Sequence, residues 1–344
     1  RGTSFTDVGS SSDTFTMDRW KFYIQNSTAR FTVSKDSDSP DEFGGSMKID
    51  CTTTDTSLAS TDEVYLEQRL EGQDLQDFAK GTRSAKEYTL SFYVKTNKLG
   101  TYIVNLLGRD NTTSTCSAAY TVNDTNWNRY TVIFPADPSS GRTDDNDNGE
   151  ALRVLWWFVA GSAVNSPSSA PLATTWRNST DTGRATGQIN FADSTSNEFF
   201  LTGCQLEVGR NVTEFEHRSY GEELRLCQRY YTKSYNHDVA PGTNTMVGTR
   251  WGRNYDPTDS RSANVVAVSF PVTMRATPNM TFRGVHTGTT GKWTTGANNP
   301  NASNTDMNVS SLYDLSENGW TSMNTADVTA EKFFGGHYEA TAEL

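Results

Sequence analysis

The chain has 344 residues and a formal net charge of −11, with 34% hydrophobic and 11% aromatic residues. An acidic chain of this kind lacks the basic footprint that phosphate binding needs, so no nucleic-acid partner is expected, and the charge serves solubility. The aromatic content argues against disorder, and no apolar run approaches the roughly 18 residues of a membrane-spanning helix, so no membrane insertion is expected.

The length suits two domains. Mean hydropathy is −0.64, so the apolar side must be carried by a few aromatic-rich strands between loops of Ser, Thr, Asn and Asp. No signal peptide is visible, and a first residue of Arg1 rather than Met implies a missing or removed N-terminal segment. Cys51, Cys116, Cys204 and Cys227 form no C-x-x-C pair, so zinc is not indicated. Four reduced thiols are the plainer reading, with a disulfide as the alternative.

From the N-terminus to residue 212, period-2 runs recur, and alternation of this kind marks half-buried strands. "VYLEQRL" sets Val64, Leu66 and Leu70 inward against Tyr65, Glu67 and Arg69. "YTLSFYVK" aligns Tyr88, Leu90, Phe92 and Val94, and "RYTVIFP" aligns Tyr130, Val132 and Phe134. "VLWWFVAG" is apolar on both faces, so of the adjacent Trp156 and Trp157 at least one belongs to a core. In "EFFLTGCQLEVG", Phe200, Thr202, Cys204, Leu206 and Val208 alternate with Phe199, Leu201 and Gln205. At least six such strands predict a two-sheet jelly-roll sandwich over 1–214, with long polar loops at 136–150 and 162–189 that are either functional or mobile.

Within the first of these loops, "DDNDNGE" could offer Asp145, Asp147 and Glu150 as oxygen ligands to a structural calcium. The full EF-hand spacing is absent, and an acidic run is more often a solvated turn.

Residues 215–234 predict the one connecting α-helix. Ser219 and Glu222 have capping-box spacing; Glu222 and Glu223 suit the start of the helix dipole, and Arg225, Arg229 and Lys233 its end. Leu224, Cys227 and Tyr231 share a face and are the expected oligomer contacts, with packing on their own jelly roll as the alternative. A helix of about four turns is marginal alone, so this face must pack on something. Residues 235–344 return to strand signals, including "ANVVAVSFPVTMRATP" and "GHYEATAEL", and predict a smaller C-terminal β-sandwich or barrel.

Sequence motifs for catalysis are missing. "GTTGKW" falls short of a P-loop, there is no G-x-S-x-G, and His217, His237, His286 and His337 lack ligand spacing. Paired carboxylates for glycoside hydrolysis depend on a spatial separation that sequence does not give. Trp20, Tyr65, Tyr93, Trp127 and Trp176 are candidates to stack on sugars, with core packing as the commoner fate of such rings.

Two segments carry a family resemblance. "RGTSFTDVGSSSDTFTMDRW" resembles an opening of bacteriophage fibre and appendage proteins; Asp18, Arg19 and Trp20 match its "DRW", and Met17 departs from its usual small residue. "CQLEVGRNVTEFEHRSYGEELRLCQRYY" resembles the matching end of the same module through Gln205, Glu207, Gly209 and an almost continuous match from Phe215 to Tyr231. "MRATP" and the terminal "AEL" are similar in style to the C-terminal regions of marine phage relatives. The resemblance covers about residues 1–235 and implies a carbohydrate-binding-module-like jelly roll in a non-enzymatic virion structural protein. That protein would sit on a tail fibre or other appendage at the virion surface after assembly in the host cytoplasm. It further implies a homotrimer, other virion proteins as partners, and no universal catalytic residues. Contact with host-surface polysaccharide is implied only by analogy of fold. The alternatives are a capsid decoration or tail adaptor without a receptor, and a tailspike-type depolymerase, whose usual solenoid repeat is not visible.

Overall fold

A computed structural model of the chain describes residues 1–9, 13–179, 182–253, 266–296, 305–325 and 333–344. The chain divides into two compact units, Thr3–His217 with Leu344, and Arg218–Glu343 with Arg1–Gly2.

The larger unit is an all-antiparallel jelly-roll sandwich. One sheet runs in the order Ser4–Val8, Arg30–Asp36, Ser46–Thr53, Glu198–Val208, Tyr88–Thr96, Asn128–Phe134. The facing sheet runs Arg177–Asn178, Ser114–Val122, Gly100–Gly108, Glu150–Ala160, Glu63–Glu71, Trp20–Gln25, Asp13–Phe15. The inward sides of both sheets form one core in which Phe22, Phe31, Phe92, Phe134, Trp156, Phe158 and Phe199 are almost wholly buried. Burying each such ring stabilises the fold by about 1.5–3 kcal/mol. Val64 and Leu66 point into this core as their alternation requires, and Trp156 joins it while the adjacent Trp157 is buried in a second cluster on the opposite side of its strand. All four cysteines are free thiols. Burial pushes the Cys51 thiol up to about 11 and the Cys116 thiol up to about 12, so both stay protonated and unreactive.

Strand Glu198–Val208 departs from strict alternation. Its pairing with Tyr88–Thr96 shifts register between Thr202 and Gln205, around Gly203. Gly203 has φ +60, and a Cβ there would lie 2.7 Å from the Phe43 ring and 2.9 Å from Tyr93. An inserted residue in one strand flips every later side chain to the other face. Phe199 and Leu201 therefore face the core before the bulge and Cys204 and Leu206 after it, whereas Phe200 and Thr202 do not share the face of Cys204 and Leu206.

The helix is shorter than its sequence pattern predicts. It spans Tyr220–Gln228, nine residues, none of them buried. Ser219 caps it by accepting a hydrogen bond from the Glu222 amide at 3.3 Å. It ends where consecutive aromatic and β-branched residues favour a strand: Tyr231–Lys233 pairs with Phe333–Thr341. The expected stripe is thereby divided, with half-buried Leu224 and Cys227 on the helix and buried Tyr231 on the strand.

In the smaller unit, Phe333–Thr341 is the organising strand. Tyr231–Lys233 and Arg250–Arg253 pair along one edge, and Asn279–Gly284 and Lys292–Gly296 along the other. Trp293, Trp320, Phe334, Phe282 and Tyr338 make its core. Arg1 lies 4.4 Å over the Tyr231 ring and pairs with Glu343. Of the strand predicted in "ANVVAVSF", only Val268–Ser269 is extended among the described residues, paired with Gly319–Trp320; residues 263–265 lie outside them.

His337 is wholly buried in this unit. Its Nδ1 is 2.9 Å from the Ser234 hydroxyl, its Nε2 is 2.9 Å from the Thr245 carbonyl, and the Tyr235 ring stacks on it at 3.7 Å. Burial, reinforced by Arg250 and partly opposed by Thr245, lowers its pKa below the ordinary 6.5.

Both packings can be tested by unfolding. Gly203→Ala should cost roughly 2–4 kcal/mol in urea unfolding of the larger unit, because it adds a left-handed penalty to a collision with two rings. A cost below about 0.5 kcal/mol would mean the rings simply move aside. For His337, the unfolded chain takes up a proton that the folded one refuses. The stability it contributes is therefore whole above pH 6.5 and falls as pH drops below it. Melting curves on both sides of that pH should show this fall, and a His337→Gln variant should show a shallower one; identical slopes would assign the effect to other groups.

Candidate functional site

The outer face of the six-stranded sheet brings together two of the five aromatic candidates. At one level of the sheet Phe200 pairs with Lys48 on one neighbouring strand and Lys95 on the other. Both ammonium groups stand over the Phe200 ring, at 5.5 and 5.6 Å, where its negative π face attracts them. Each lysine is also held by acids: Lys48 by Asp50 at 3.0 Å and Glu198 at 2.7 Å, Lys95 by Asp38 at 2.5 Å. Asp38 accepts the Trp127 indole N–H at 2.8 Å as well. The hydrogen bonds from Lys95 and then Trp127 hold its carboxyl below the ordinary carboxylate value. Trp127 meets Phe200 edge to face at 6.2 Å. The half-buried indole is thus fixed by one hydrogen bond and one ring contact, and flanked by charged groups.

Tyr93 lies beside this cluster, opposite Arg129 on the neighbouring strand and 5.7 Å beneath its guanidinium. Phe43 packs on Tyr93 at 5.2 Å, and Phe215 and His217 pack on Phe43 at 5.1 and 5.2 Å. The segment leading there is stapled to the sheet. Gln205 donates to Thr213 Oγ1 and accepts from the Glu216 amide, and Glu207 accepts from the Thr213 hydroxyl at 2.6 Å. The "FEH" of the second motif is therefore a clamp that closes the sandwich at its exit.

The other three aromatics sit elsewhere. Trp20 packs on Trp156 at 5.4 Å at the edge of the core. Tyr65 is 4% exposed, sandwiched between Tyr23 and Trp157, so neither ring face is open to a sugar. These rings belong to the outer side of the seven-stranded sheet, which the 162–189 loop covers with Val164 and Ala185. Arg184 of that loop lies over Trp157 at 5.3 Å, so the loop is packed on the sheet at Val164, Arg184 and Ala185. Trp176 donates to the Pro135 carbonyl at 2.7 Å and stands 5.9 Å from Tyr88.

The three acids of the expected calcium loop do not converge. Asp145 accepts from Asn111 at 3.2 Å and Asp147 from the Gly149 amide at 2.8 Å. Glu150 is paired with Arg153, Arg69 and Arg109. Burial opposes its ionisation, but the three guanidiniums outweigh it and hold the Glu150 carboxyl low. Among the described residues, no group of three or more His, Cys, Asp or Glu side chains is placed to hold a metal.

Sequence reasoning misses Phe200, Lys48, Lys95, Asp38 and Phe43. Simple alternation puts Phe200 on the face of Cys204 and Leu206, and Asp38 lies 89 residues from Trp127. The Gly203 bulge is the one available signal, since an isolated Gly within a strand pattern marks such a break.

No family model and no curated protein matches the chain. Solved structures similar to it include the tailspike protein 4 enzymatically active domain of bacteriophage CBA120, at 10% identity and TM-score 0.31, covering 56% of this chain and 20% of that one. A CBM4 module is similar at 14% identity and TM-score 0.29, covering 55% of this chain and 86% of that one. The family 11 carbohydrate-binding module of a Clostridium thermocellum cellulosomal cellulase is similar at 10% identity and TM-score 0.30, covering 63% and 99%. This chain thus spans a fifth of the tailspike domain's length. At such identities and TM-scores no activity or ligand can be taken from the likeness.

Proposed function

We propose that this chain is a non-enzymatic structural protein of a phage appendage, exposed at the virion surface, that contacts host glycan through the outer face of its six-stranded sheet. The observation that carries the glycan part is the half-buried Trp127 indole, seated against the buried Phe200 ring and bordered by Lys48, Lys95, Asp38 and Glu198. A sugar ring offers C–H groups that stack on an aromatic face, and hydroxyls that need donors and acceptors held in place. A few fixed polar groups beside aromatic surface supply both. The ion pairs pre-order these side chains, which lowers the entropy lost on binding. Asp38, Asp50 and Glu198 are all engaged with cations, an arrangement suited to holding a ligand rather than moving a proton. The phage part rests on the two motif stretches, whose residues close the sandwich through Phe215 and His217 and bring Arg1 onto Tyr231.

The test is glycan-array binding by the intact protein, repeated with Trp127→Ala. Losing the indole should weaken binding about tenfold, near 1.4 kcal/mol, while circular dichroism shows the fold retained. Absence of binding to any host-surface polysaccharide would leave a purely structural role, as a capsid decoration or tail adaptor. Release of reducing ends from polysaccharide would overturn the non-enzymatic reading.

We also propose that copies associate, as a homotrimer, through the helix Tyr220–Gln228. Its support is a nine-residue helix that buries no residue and carries half-buried Leu224 and Cys227; so short a helix gains most of its stability from packing. Leu224→Asp should lower the mass measured by light scattering to that of one chain while circular dichroism is preserved. An unchanged mass would remove the helix from the interface.

A further inference from the structure

At one end of the sandwich, Lys80 and Asp144 form an ion pair cut off from water. Lys80 Nζ lies 3.0 Å from Asp144 Oδ1, with side chains 0% and 4% exposed. The walls are aromatic: Phe78 stacks on Tyr88 at 3.9 Å, and the Trp176 ring is 5.5 Å from Lys80 Nζ. Lys80 crosses the backbone at Gly108, where a Cβ would fall 2.7 Å from Nζ. A third charged group, Asp137, is fully buried beside the pair. Its carbonyl accepts from the amide of Gly81, the residue after Lys80, at 2.7 Å, and its Oδ1 faces Arg142 at 3.4 Å. Asp137 Oδ2, Asp144 Oδ2 and the Tyr88 hydroxyl are buried without hydrogen-bond partners. An amine, a carboxyl and a second carboxyl thus share one dry compartment with polar atoms left over. For a pair whose only task is attraction this is a poor arrangement, since desolvating two ions consumes most of their Coulombic gain.

We propose that Lys80 and Asp144 condense to a side-chain amide, an isopeptide bond that staples the segment after Phe78 to the 136–150 loop. Moving the shared proton across the Lys80–Asp144 hydrogen bond gives an amine with a free lone pair and a protonated acid. Burial raises the Asp144 carboxyl in the same sense, against the pull of Lys80. The Nζ lone pair attacks Asp144 Cγ, whose Oδ1 is held 3.0 Å from Nζ. The proton that Nζ loses goes to the departing oxygen of Asp144, which leaves as water. One N–C bond forms, one C–O bond breaks and one water leaves. No oxidant or cofactor enters the balance.

Mass spectrometry of the full chain, purified, reduced and denatured, tests this. The intact mass should be short of the sequence mass by one water. Tryptic digestion should then give a branched peptide joining 70–83 to 143–153, because the acylated Lys80 resists cleavage. Lys80→Met should restore the full sequence mass, and so should Asp144→Ala, which removes the other reacting group and keeps the test meaningful if the lysine variant does not fold. A wild-type chain of full mass after prolonged incubation, with Lys80 cleaved normally, would overturn the proposal. So would a water loss found only in linear peptides, which would mark ring closure at an aspartate elsewhere.

Discussion

The larger unit turns on the absence of one side chain. Gly203 adopts a backbone conformation that residues with a Cβ avoid, and Phe43 and Tyr93 occupy the space a Cβ would need. Two consequences come from that single position. The register of Glu198–Val208 changes, so the strand serves the core with Phe199 and Leu201 on one side of the break and with Cys204 and Leu206 on the other. Phe200 is thereby turned away from the core and lies buried beneath Lys48 and Lys95, and the rings that cover Gly203 become the seat for Phe215 and His217. The outer aromatic face and the exit clamp are two results of one bulge.

That face also shows how an acidic chain can keep lysines where they are useful. Lys48 and Lys95 each meet both an aromatic ring and a carboxylate. Exposed ion pairs contribute little to stability, typically below about 1 kcal/mol, so their value here is geometric. Asp38 couples Lys95 to Trp127, and an indole with one polar anchor and one ring neighbour has little freedom to turn. On the facing sheet the same residue types are used differently: Glu67 is fully buried among Arg69, Arg153 and Lys21, and the adjoining rings lie under a loop. Of the two outer surfaces, one is closed by its own chain and the other carries rings at its edge.

How much of this can be read in the sequence depends on range. Alternation is a local property, so the strands holding Val64 and Leu66, Leu90 and Phe92, or Trp156 and Trp157 are legible, and so is the Ser219 cap. The length of the helix is not, because Tyr231–Lys233 is drawn into a strand by a partner more than a hundred residues away. The partners of Trp127 and Lys95 are hidden for the same reason. Asp38 stands 89 residues from the one and 57 from the other, and nothing local announces it. Lys80 and Asp144 are separated by 64 residues, and Asp144 reads as one more member of an acidic run. The acids that stand out there, Asp145, Asp147 and Glu150, have unrelated partners.

The place of Phe333–Thr341 in the smaller unit has a consequence in time. That strand holds two edges together, pairing with Tyr231–Lys233 and Arg250–Arg253 on one side and with Asn279–Gly284 and Lys292–Gly296 on the other. During synthesis it is made after all of them. The sandwich up to His217 has its core strands as soon as Glu198–Val208 has emerged, so it can fold while the ribosome is still at work. The smaller unit has to wait, its edges made but without their shared neighbour, until Phe333–Thr341 arrives. Its folding is thus gated by synthesis of Phe333–Thr341, and a ribosome that stops before that strand leaves a finished sandwich carrying an unpaired set of strands.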